Sequence, residues 1–363
     1  MSLTGKIYMT KKNVVMKYVR AGLFICLVIG INALLKMAFV QVGLTRVIFH
    51  ELEDSEAGYD CVIYGQSHTS YGVDPLNVGE TSGMEVMNAG IGGARMMDIY
   101  YMMKDMYDNY TPDMVVLDMD YQYFLNVDMS DISISNTLVY YNYPDTFNKI
   151  AYSAATLPKK DYRAALFQWM NYRDGIYNMR DNIGRKLTDE YKNCQPEAVN
   201  AIESCDTYKT RGFLYRDHSF VRDENARVSV IWDDELVDTD YSTRYFKKIV
   251  NLCKDKGSQL VIITSPINRE TILLDEISMD NYQKAHDYIG KMAADEGLKY
   301  YDFNYVKSSV YMVDTSDYWD YDGHMYGDAA SRYSKFLGGF LKEMAGMNQS
   351  ELSDYFYENV YEL

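Results

Sequence analysis

Short apolar runs alternate with longer amphipathic segments through most of this sequence, and this alternation constrains the fold more than any other feature. Apolar runs of this length are typical of strands buried on both faces of a parallel sheet. Helical segments between such strands predict a sheet covered by helices on both faces. We predict strands at DCVIYG (60–65), EVMN (85–88), MVVLDM (114–119), QLVIIT (259–264) and LKYYDF (298–303), and helices at 96–107, 243–256, 282–296 and 328–344.

The stretch from about 121 to 241 breaks this alternation. It is rich in Tyr, Asn and Asp and contains helical fragments such as 162–179. Loops at the carboxyl ends of parallel strands build the active sites of such folds. We therefore predict a helical insertion that forms a lid over the sheet, with structural padding as the alternative.

Residues 21–40, AGLFICLVIGINALLKMAFV, are apolar except for Asn32 and Lys36. Twenty helical residues span roughly 30 Å, the thickness of the hydrocarbon core of a bilayer. Basic residues precede this run, so the positive-inside rule predicts a cytoplasmic N-terminus and a main domain outside the cell membrane. A cleavable signal peptide is the alternative, but the basic region is long and no A-x-A site follows.

The rest of the chain is strongly acidic. Residues 1–46 carry seven Lys and Arg and no acid, which leaves 29 basic and 52 acidic residues, a charge of −23, beyond them. Such a charge disfavours a nucleic-acid partner. The predicted organisation is a basic cytoplasmic tail (1–20), a transmembrane helix (21–40), a stem (41–57), a main domain (58–347) that contains the insertion, and a C-terminal tail (348–363).

Four of the five cysteines lie beyond the anchor, in a compartment that permits disulfides. Cys194 and Cys205 are close together in a polar part of the insertion and form the predicted disulfide. Cys61 and Cys253 fall on a predicted strand and a predicted helix, so we expect buried thiols there. No C-x-x-C or H-E-x-x-H spacing occurs, so the sequence predicts no zinc site.

A serine that can act as a nucleophile follows the first predicted strand. In IYGQSHTSYGVDP (63–75), Ser67 comes after Gly65, where a turn leads into a short helix. Backbone N–H groups of such a turn are available to an oxyanion. A G-x-S sequence alone is weak evidence for a nucleophile, since serine is also common there as a turn residue or helix N-cap. If the turn is extended, His68 points away from the site, in a structural or oxyanion-side role.

His324 can act as the base for this serine. It lies in DTSDYWDYDGHMYGDAASRYSKFL (314–337), before a predicted helix. An imidazole can take the serine proton, and a carboxylate then fixes its tautomer and stabilises its charged form. Asp320 and Asp322 are the two candidates for that carboxylate. The other histidines lack a comparable acid-rich setting before a helix. We expect structural roles for His50, His218 and His286.

A glycine-rich loop, MNAGIGGARMMD (87–98), follows the second predicted strand. Such a loop brings backbone N–H groups close to a bound anion. Gly90 is the oxyanion donor that we predict there. A phosphate site is disfavoured, because the spacing is not G-x-G-x-x-G and no Walker lysine follows.

Together these segments resemble the SGNH/GDSL hydrolase superfamily over about residues 58–124 and 242–345. The similarity is strongest to membrane-anchored bacterial members near the D-alanine transfer protein of teichoic-acid modification and the alginate acetylation proteins. In that pattern the block-I serine matches Ser67, the block-II glycine matches Gly90, and the terminal Asp-x-x-His matches the segment ending at His324. The resemblance implies a three-layer α/β/α fold around a central parallel sheet.

Two positions depart from the family pattern. The block-III asparagine, an oxyanion donor, would follow the third strand, where this chain has Asp118 and Asp120. An ionised carboxylate cannot donate a hydrogen bond. In the Asp-x-x-His pattern an aspartate stands three residues before the histidine, but in this chain Tyr321 occupies that position. The acid is therefore either Asp320, which continues the D-Y-W-D run, or Asp322, and we favour Asp320.

The resemblance implies O-acyl transfer or ester hydrolysis on an acylated cell-envelope glycan or teichoic-acid-like polymer. An acyl-Ser67 intermediate would form with His324 as base, and the Ser67 and Gly90 amides would hold the oxyanion. This chemistry needs no metal or organic cofactor. The relatives also imply a membrane-bound O-acyltransferase as partner. The alternative is a non-catalytic envelope scaffold or glycan-binding protein of the same fold, since fold does not settle activity.

Overall fold

The computed structural model describes residues 3–40, 43–53, 58–124, 148, 151–152, 167–200, 206–219, 240–344, 346–347 and 349–363. By the contacts among its residues the chain divides into two compact units. The first unit contains Met1–Val42 and Lys159–Asn193, and the second contains Gly43–Pro158 and Cys194–Leu363.

The helices are named here in chain order. They are α1 (Leu3–Phe39), α2 (Leu44–Glu53), α3 (Ser67–Gly72), α4 (Pro75–Ser82), α5 (Met96–Asn109), α6 (Met179–Lys186), α7 (Asp189–Lys192), α8 (Glu197–Asn200), α9 (Asp240–Lys256), α10 (Arg269–Ile272), α11 (Glu276–Asp295), α12 (Gly327–Glu343) and α13 (Gln349–Tyr355). In the described residues, 3₁₀ segments occur at Tyr121–Phe124, Gln168–Asn178, Phe303–Tyr305, Thr315–Asp317 and Val360–Glu362.

The second unit contains a central sheet of five parallel strands, so the predicted parallel sheet is confirmed. Its order is β2-β1-β3-β6-β7. The two remaining strands, β4 and β5, form a separate antiparallel pair inside the predicted helical insertion. The strands are β1 (Cys61–Tyr64), β2 (Val86–Asn88), β3 (Met114–Asp118), β4 (Asp206–Tyr208), β5 (Leu214–Arg216), β6 (Gln259–Thr264) and β7 (Tyr300–Asp302).

The core of the second unit explains why its strands are apolar runs. Strands β1 and β3 are buried along their whole length, so both faces of each strand need apolar side chains. Helix α12 packs against α4, and α9 packs against α5 and β6. The core includes Ile63, Val116, Ile263, Tyr333 and Leu337.

The four predicted helices correspond to α5, α9, α11 and α12, with shifted ends. Helix α11 begins at Glu276 rather than at residue 282, because Asp275 caps it by accepting from the Ser278 N–H. Helix α4 was not predicted, although its start carries two signals. Asp74 caps it, and Pro75 is its first residue.

Two neighbouring glycines of α12 provide a test of its close packing on α4. A Cβ on Gly338 would lie 2.3 Å from Val78 O and 2.1 Å from Thr81 Oγ1, whereas Gly339 faces open space. Both substitutions by alanine gain roughly 0.5–1 kcal/mol of helix propensity. Gly339→Ala should therefore raise the melting temperature, and Gly338→Ala should lower it through overpacking of about 1–3 kcal/mol. Equal shifts in thermal melts of the two variants would contradict this packing.

The first unit contains the apolar helix. Asn13–Phe39 of α1 is long and apolar enough to cross a membrane. The 3₁₀ segment Gln168–Asn178 and helix α6, which belong to the predicted insertion, pack against α1. In the second unit, the predicted stem contains α2, which packs against α5.

Candidate active site

Ser67 lies at the carboxyl end of a central strand. β1 ends at Tyr64, two residues link it to α3, and Ser67 is the first residue of that helix. β1 pairs with β2 on one side and with β3 on the other. Ligands of α/β proteins bind outside the carboxyl ends of such strands, so Ser67 occupies a functional position of the fold.

Ser67 and His324 are brought into direct contact from distant parts of the chain. The distance between Ser67 Oγ and His324 Nε2 is 2.8 Å. On the other side of the ring, Nδ1 lies 2.7 Å from Asp320 Oδ2. A carboxylate can only accept, so Nδ1 carries the proton and Nε2 is left to accept from the serine hydroxyl. This is the arrangement that general-base activation of a serine requires.

The geometry distinguishes the two candidate acids. Asp320 Oδ1 also accepts the backbone N–H groups of Gly323 at 2.9 Å and His324 at 3.0 Å. Burial would raise the pKa of Asp320, but these hydrogen bonds and the bond and charge of His324 lower it below its ordinary value. Asp322 Oδ2 is 4.0 Å from His324 Nδ1, and its side chain is 47% exposed. Asp320 is therefore the partner of the imidazole.

The loop that carries the base depends on one glycine. Gly323 has a φ of +108°, and a Cβ there would lie 2.5 Å from Ile267 Cβ. An L side chain would be strained in that conformation. The Trp319 N–H donates to the His324 carbonyl at 3.0 Å and closes the loop. The D-G-H sequence thus lets Asp320 fold back onto the imidazole.

Aromatic rings surround the imidazole of His324. Trp319 stacks on it, with centroids 4.9 Å apart and an interplanar angle of 18°, and Tyr71 meets it edge-on at 5.6 Å. The Arg216 guanidinium, from β5 in the predicted insertion, lies 3.8 Å from the Trp319 ring centroid. Sequence reasoning missed these contacts. They restrict the orientation of the imidazole ring.

His68 is not turned away from the site. The turn is not extended, because Ser67 begins a helix and places the His68 ring 4.8 Å from the His324 ring. His68 Nδ1 lies 2.9 Å from Asp120 Oδ2, and Nε2 lies 2.8 Å from the Asp322 carbonyl oxygen. Both partners are acceptors, so both ring nitrogens donate and the ring is an imidazolium ion. His68 thereby ties the nucleophile segment to the base loop.

The charge of His68 depends on Asp120. Burial alone would lower the pKa of His68, but the charge and hydrogen bond of Asp120, helped by Asp322, raise it to about 10. The pKa of Asp120, which burial would raise, is lowered by His68. Asp120, one of the two aspartates in the region of the expected asparagine, thus acts as the counter-ion of His68.

We expect His68 to remain doubly protonated at about pH 8, well above the ordinary histidine pKa. NMR of the chain with ¹⁵N-labelled histidine measures this directly, and His68→Gln assigns the signal. Asp120→Asn removes the main cause of the raised pKa, so the ring should then titrate at lower pH. A neutral His68 at about pH 8 in the unmodified chain would contradict the ion pair.

The same pair has a defined effect on stability. Because the pKa of His68 is raised on folding, its contribution is fully present below the unfolded pKa of about 6.5. The contribution is lost as the pH rises through about 10. Over this alkaline range the unmodified chain should lose more thermal stability than Asp120→Asn. Parallel melting curves for the two chains would argue against the coupling.

Asp118 has a different role. Its side chain is buried and accepts from Thr69 Oγ1 at 2.9 Å, the Ser265 N–H at 2.8 Å and Ser265 Oγ at 2.7 Å. Burial raises its pKa, against the effect of these hydrogen bonds. Asp118 therefore holds together α3 and the end of β6 beneath the nucleophile.

The predicted oxyanion donor Gly90 is already engaged. Its N–H donates to Asn88 Oδ1 at 2.8 Å, and a Cβ there would lie 2.7 Å from Ser70 N. Gly90 allows close packing under α3 but is not free to donate to an oxyanion in this conformation. Gly92 of the same loop lies beside Ser67, since a Cβ on it would be 3.7 Å from Ser67 Cβ.

A small cavity of about 20 Å³ lies beside the Ser67–His324 pair. It is found at the carboxyl ends of β3 and β6, and Ser67 and His324 themselves do not line it. A space of this size holds about one water molecule. Polar residues line much of the cavity, among them Gln66, His68, Asp120, Gln122, Thr264 and Asn304.

Three residues of the described part of the chain offer possible metal ligands in this region. One ligand atom from each of His68, Asp322 and His324 lies within 4.8 Å of the others. Both nitrogens of each histidine already have partners, and those of His68 both donate. A metal ion would have to displace a contact of His324, to Ser67 or to Asp320, and one of the contacts of His68, so the arrangement fits acid–base chemistry better.

Two histidines outside the site, for which structural roles were expected, also have acidic partners. His218 Nε2 is 2.9 Å from Asp328, and both side chains are about half exposed. His286 Nδ1 is 2.9 Å from the buried Asp302. Cys194 is described but Cys205 lies outside the described residues, so their disulfide stays a prediction. The buried thiols lie on β1 and α9, at Cys61 and Cys253.

Comparison with known proteins found no relative of this chain. No protein-family model matches the chain, and no curated protein matches it. The functional assignment therefore depends on the residues of the site and on the order in which the chain supplies them.

Proposed function

We propose that this chain is a membrane-anchored serine enzyme of the SGNH/GDSL type that transfers or hydrolyses O-acyl groups of a cell-envelope polymer. The observation that carries the proposal is the connected series Ser67, His324 and Asp320, with distances of 2.8 and 2.7 Å between their polar atoms. The same proposal includes a three-layer α/β/α arrangement. Its support is the parallel order β2-β1-β3-β6-β7 with the site at the carboxyl ends.

The first half-reaction forms an acyl-enzyme. Ser67 Oγ attacks the ester carbonyl carbon while His324 Nε2 takes the hydroxyl proton. The C–O bond of the ester then breaks, and His324 returns the proton to the leaving alcohol. Asp320 holds the imidazole in the required tautomer and stabilises its charged form. The product is acyl-Ser67 and a free alcohol.

The second half-reaction releases the acyl group. An acceptor hydroxyl, from the polymer or from water, loses its proton to His324 and attacks acyl-Ser67. The Ser67–acyl bond breaks, and His324 returns the proton to Ser67 Oγ. Backbone N–H groups of Ser67 and Gly92 are the proposed oxyanion donors, in place of Gly90.

In this proposal His68 and Asp120 lie in the region where the family pattern has its asparagine, but they have a different role. Asp120 cannot donate to an oxyanion, and both N–H groups of His68 are engaged. His68 is therefore a positioning residue that holds the Asp322 carbonyl and with it the loop that carries Asp320 and His324. An acylated glycan or teichoic-acid-like polymer is the proposed substrate, with a membrane-bound O-acyltransferase as the proposed partner.

The location of the site follows from the anchor. Basic residues precede the apolar part of α1, so we place the N-terminus in the cytoplasm and the catalytic unit outside. Within the insertion, we propose the lid role for the β4–β5 pair. Arg216 at the end of β5 contacts the Trp319 ring that stacks on His324.

A fluorophosphonate probe tests the proposal on the full chain in membranes. We expect labelling of the wild type at Ser67 and none in Ser67→Ala. Ser70→Ala is the matched control, because Ser70 lies on the same short helix and donates to the Gln66 carbonyl instead. Absence of labelling in a folded wild-type chain would favour the non-catalytic scaffold or glycan-binding alternative.

A further inference from the structure

Side chains of α6 satisfy the backbone carbonyl groups at the end of α1. Lys186 Nζ donates to three of them and Asn182 Nδ2 donates to two. The distances are 3.1 Å to Lys36 O, 2.9 Å to Met37 O, 3.3 Å to Ala38 O and 3.4 Å to Phe39 O, and Val40 O is the third partner of Lys186. In water the last carbonyl groups of a helix bind solvent, whereas in a bilayer they need protein donors.

The exposed apolar surface of α1 ends where this cover begins. Large apolar side chains are exposed from Val14, at 45%, to Leu34, at 68%. From Leu35 to Val40 each residue is buried or half-buried. The uncovered stretch of about 21 residues is roughly 32 Å long, close to a hydrocarbon core of about 30 Å. It begins before the predicted span of 21–40 and includes Lys17 and Arg20, whose long side chains can reach the cytoplasmic headgroups. Helix α6 therefore meets α1 at the level where the hydrocarbon core ends.

The outer surface of this segment has the composition of a membrane interface. Ile176, Tyr177 and Leu187 are 56%, 94% and 57% exposed. Arg180 is also exposed. Leu187 follows it by seven positions, which is about two helical turns, so the two lie on one helical face. Asn182 and Lys186 point to α1 from a different face. Tyrosine suits the headgroup level of a bilayer, and arginine suits its phosphates.

We propose that residues 176–187 form an interface element that lies in the lipid headgroup layer where α1 leaves the bilayer, with Ile176, Tyr177 and Leu187 in contact with lipid. The occupant of this exposed apolar surface is lipid, because the segment packs on α1 directly after the exposed apolar stretch of that helix. The Lys186 and Asn182 contacts fix the element at that depth. The inference rests on α1 crossing the membrane and not on the proposed enzyme activity.

Nitroxide labels test the depth of this element. Tyr177→Cys and Leu187→Cys are made in the full chain with Cys26, Cys194 and Cys205 replaced by serine, in phosphatidylethanolamine–phosphatidylglycerol vesicles. Leu27→Cys, 59% exposed on α1, is the lipid reference, and Met312→Cys, 67% exposed on the other unit, is the water reference. We expect the ratio of oxygen to nickel-chelate collisions at 177 and 187 to lie clearly above that at 312. Ratios equal to that at 312, or a water-like ratio at 27, would overturn the proposal.

A second variant tests what holds the element in place. Lys186→Met keeps the length of the side chain but removes its three donors, so the ratio at 177 should shift towards the water value. Lys192→Met is the matched control, because Lys192 binds the exposed Asp189 instead of α1. An unchanged ratio at 177 in Lys186→Met would overturn the role of the carbonyl contacts.

Discussion

Asp320→Asn is expected to lower turnover by about 10⁴-fold, the loss known for the orienting carboxylate of a serine–histidine pair. Asp320 Oδ2 accepts from His324 Nδ1 at 2.7 Å. An amide nitrogen in that position could donate instead, which favours the tautomer with the proton on Nε2. That ring nitrogen could then no longer accept the proton of Ser67. Turnover of an activated ester measures the loss.

Asp322→Asn is the matched control for this variant. Asp322 lies in the same loop, but its carboxylate is 4.0 Å from the ring nitrogen and half exposed. Its structural contact to His68 uses the backbone carbonyl, which the substitution leaves in place. We expect activity within about tenfold of the wild type, since one lost exposed contact is worth about 1 kcal/mol or less. Similar losses in both variants would contradict the assignment of Asp320.

Ser67→Ala and His324→Ala are each expected to lower turnover by roughly 10⁶-fold, and the double variant should lose no more than either one. The two side chains act as one unit across their 2.8 Å contact. Removing one of them leaves the other without a function. Single-turnover measurements with an activated ester are sensitive enough for this comparison.

His218→Ala controls for the loss of a histidine as such. His218 also pairs with a carboxylate, Asp328, but both side chains are about half exposed. We expect nearly wild-type turnover in this variant. If the loss in the Ser67–His324 double variant equalled the product of the two single losses, the two residues would act independently, and the proposed mechanism would be wrong.

The sheet could be predicted from sequence because its strands carry a strong signal. β1 and β3 are buried along their length, and such strands appear as apolar runs. Helix ends were harder to predict, because caps outweigh the apolar pattern. Asp275 begins α11 before its apolar stripe becomes recognisable. The β4–β5 pair lacked any comparable signal within a segment rich in Tyr, Asn and Asp.

The candidate site was predictable in part. The order of Ser67, a glycine loop and His324 along the chain indicated the pair that the structure brings into contact. The motif context favoured Asp320 over Asp322, but the contact itself depends on the positive φ of Gly323, which the sequence does not show. That conformation lets Asp320 Oδ1 accept from the backbone N–H groups of Gly323 and His324. It also lets Asp320 Oδ2 accept from His324 Nδ1.

Contacts between distant segments could not be predicted from one sequence. His68 was expected on an extended turn, whereas α3 begins at Ser67 and turns the ring towards Asp120. Arg216 reaches Trp319 because the turn before β5 lies against the end of β2, where the Asn88 N–H donates to the Arg211 carbonyl. Both contacts depend on how separate loops meet at one sheet edge.

Trapping the acyl-enzyme is the most direct test of the central claim. The full chain is mixed with p-nitrophenyl acetate, quenched in acid and digested, and the peptide that contains Ser67 is analysed by mass spectrometry. We predict one acetyl group on Ser67 in the wild type, much slower acetylation in His324→Ala, and none at this peptide in Ser67→Ala. An active chain whose Ser67 stays unmodified, or an equal acetylation rate in His324→Ala, would contradict the account.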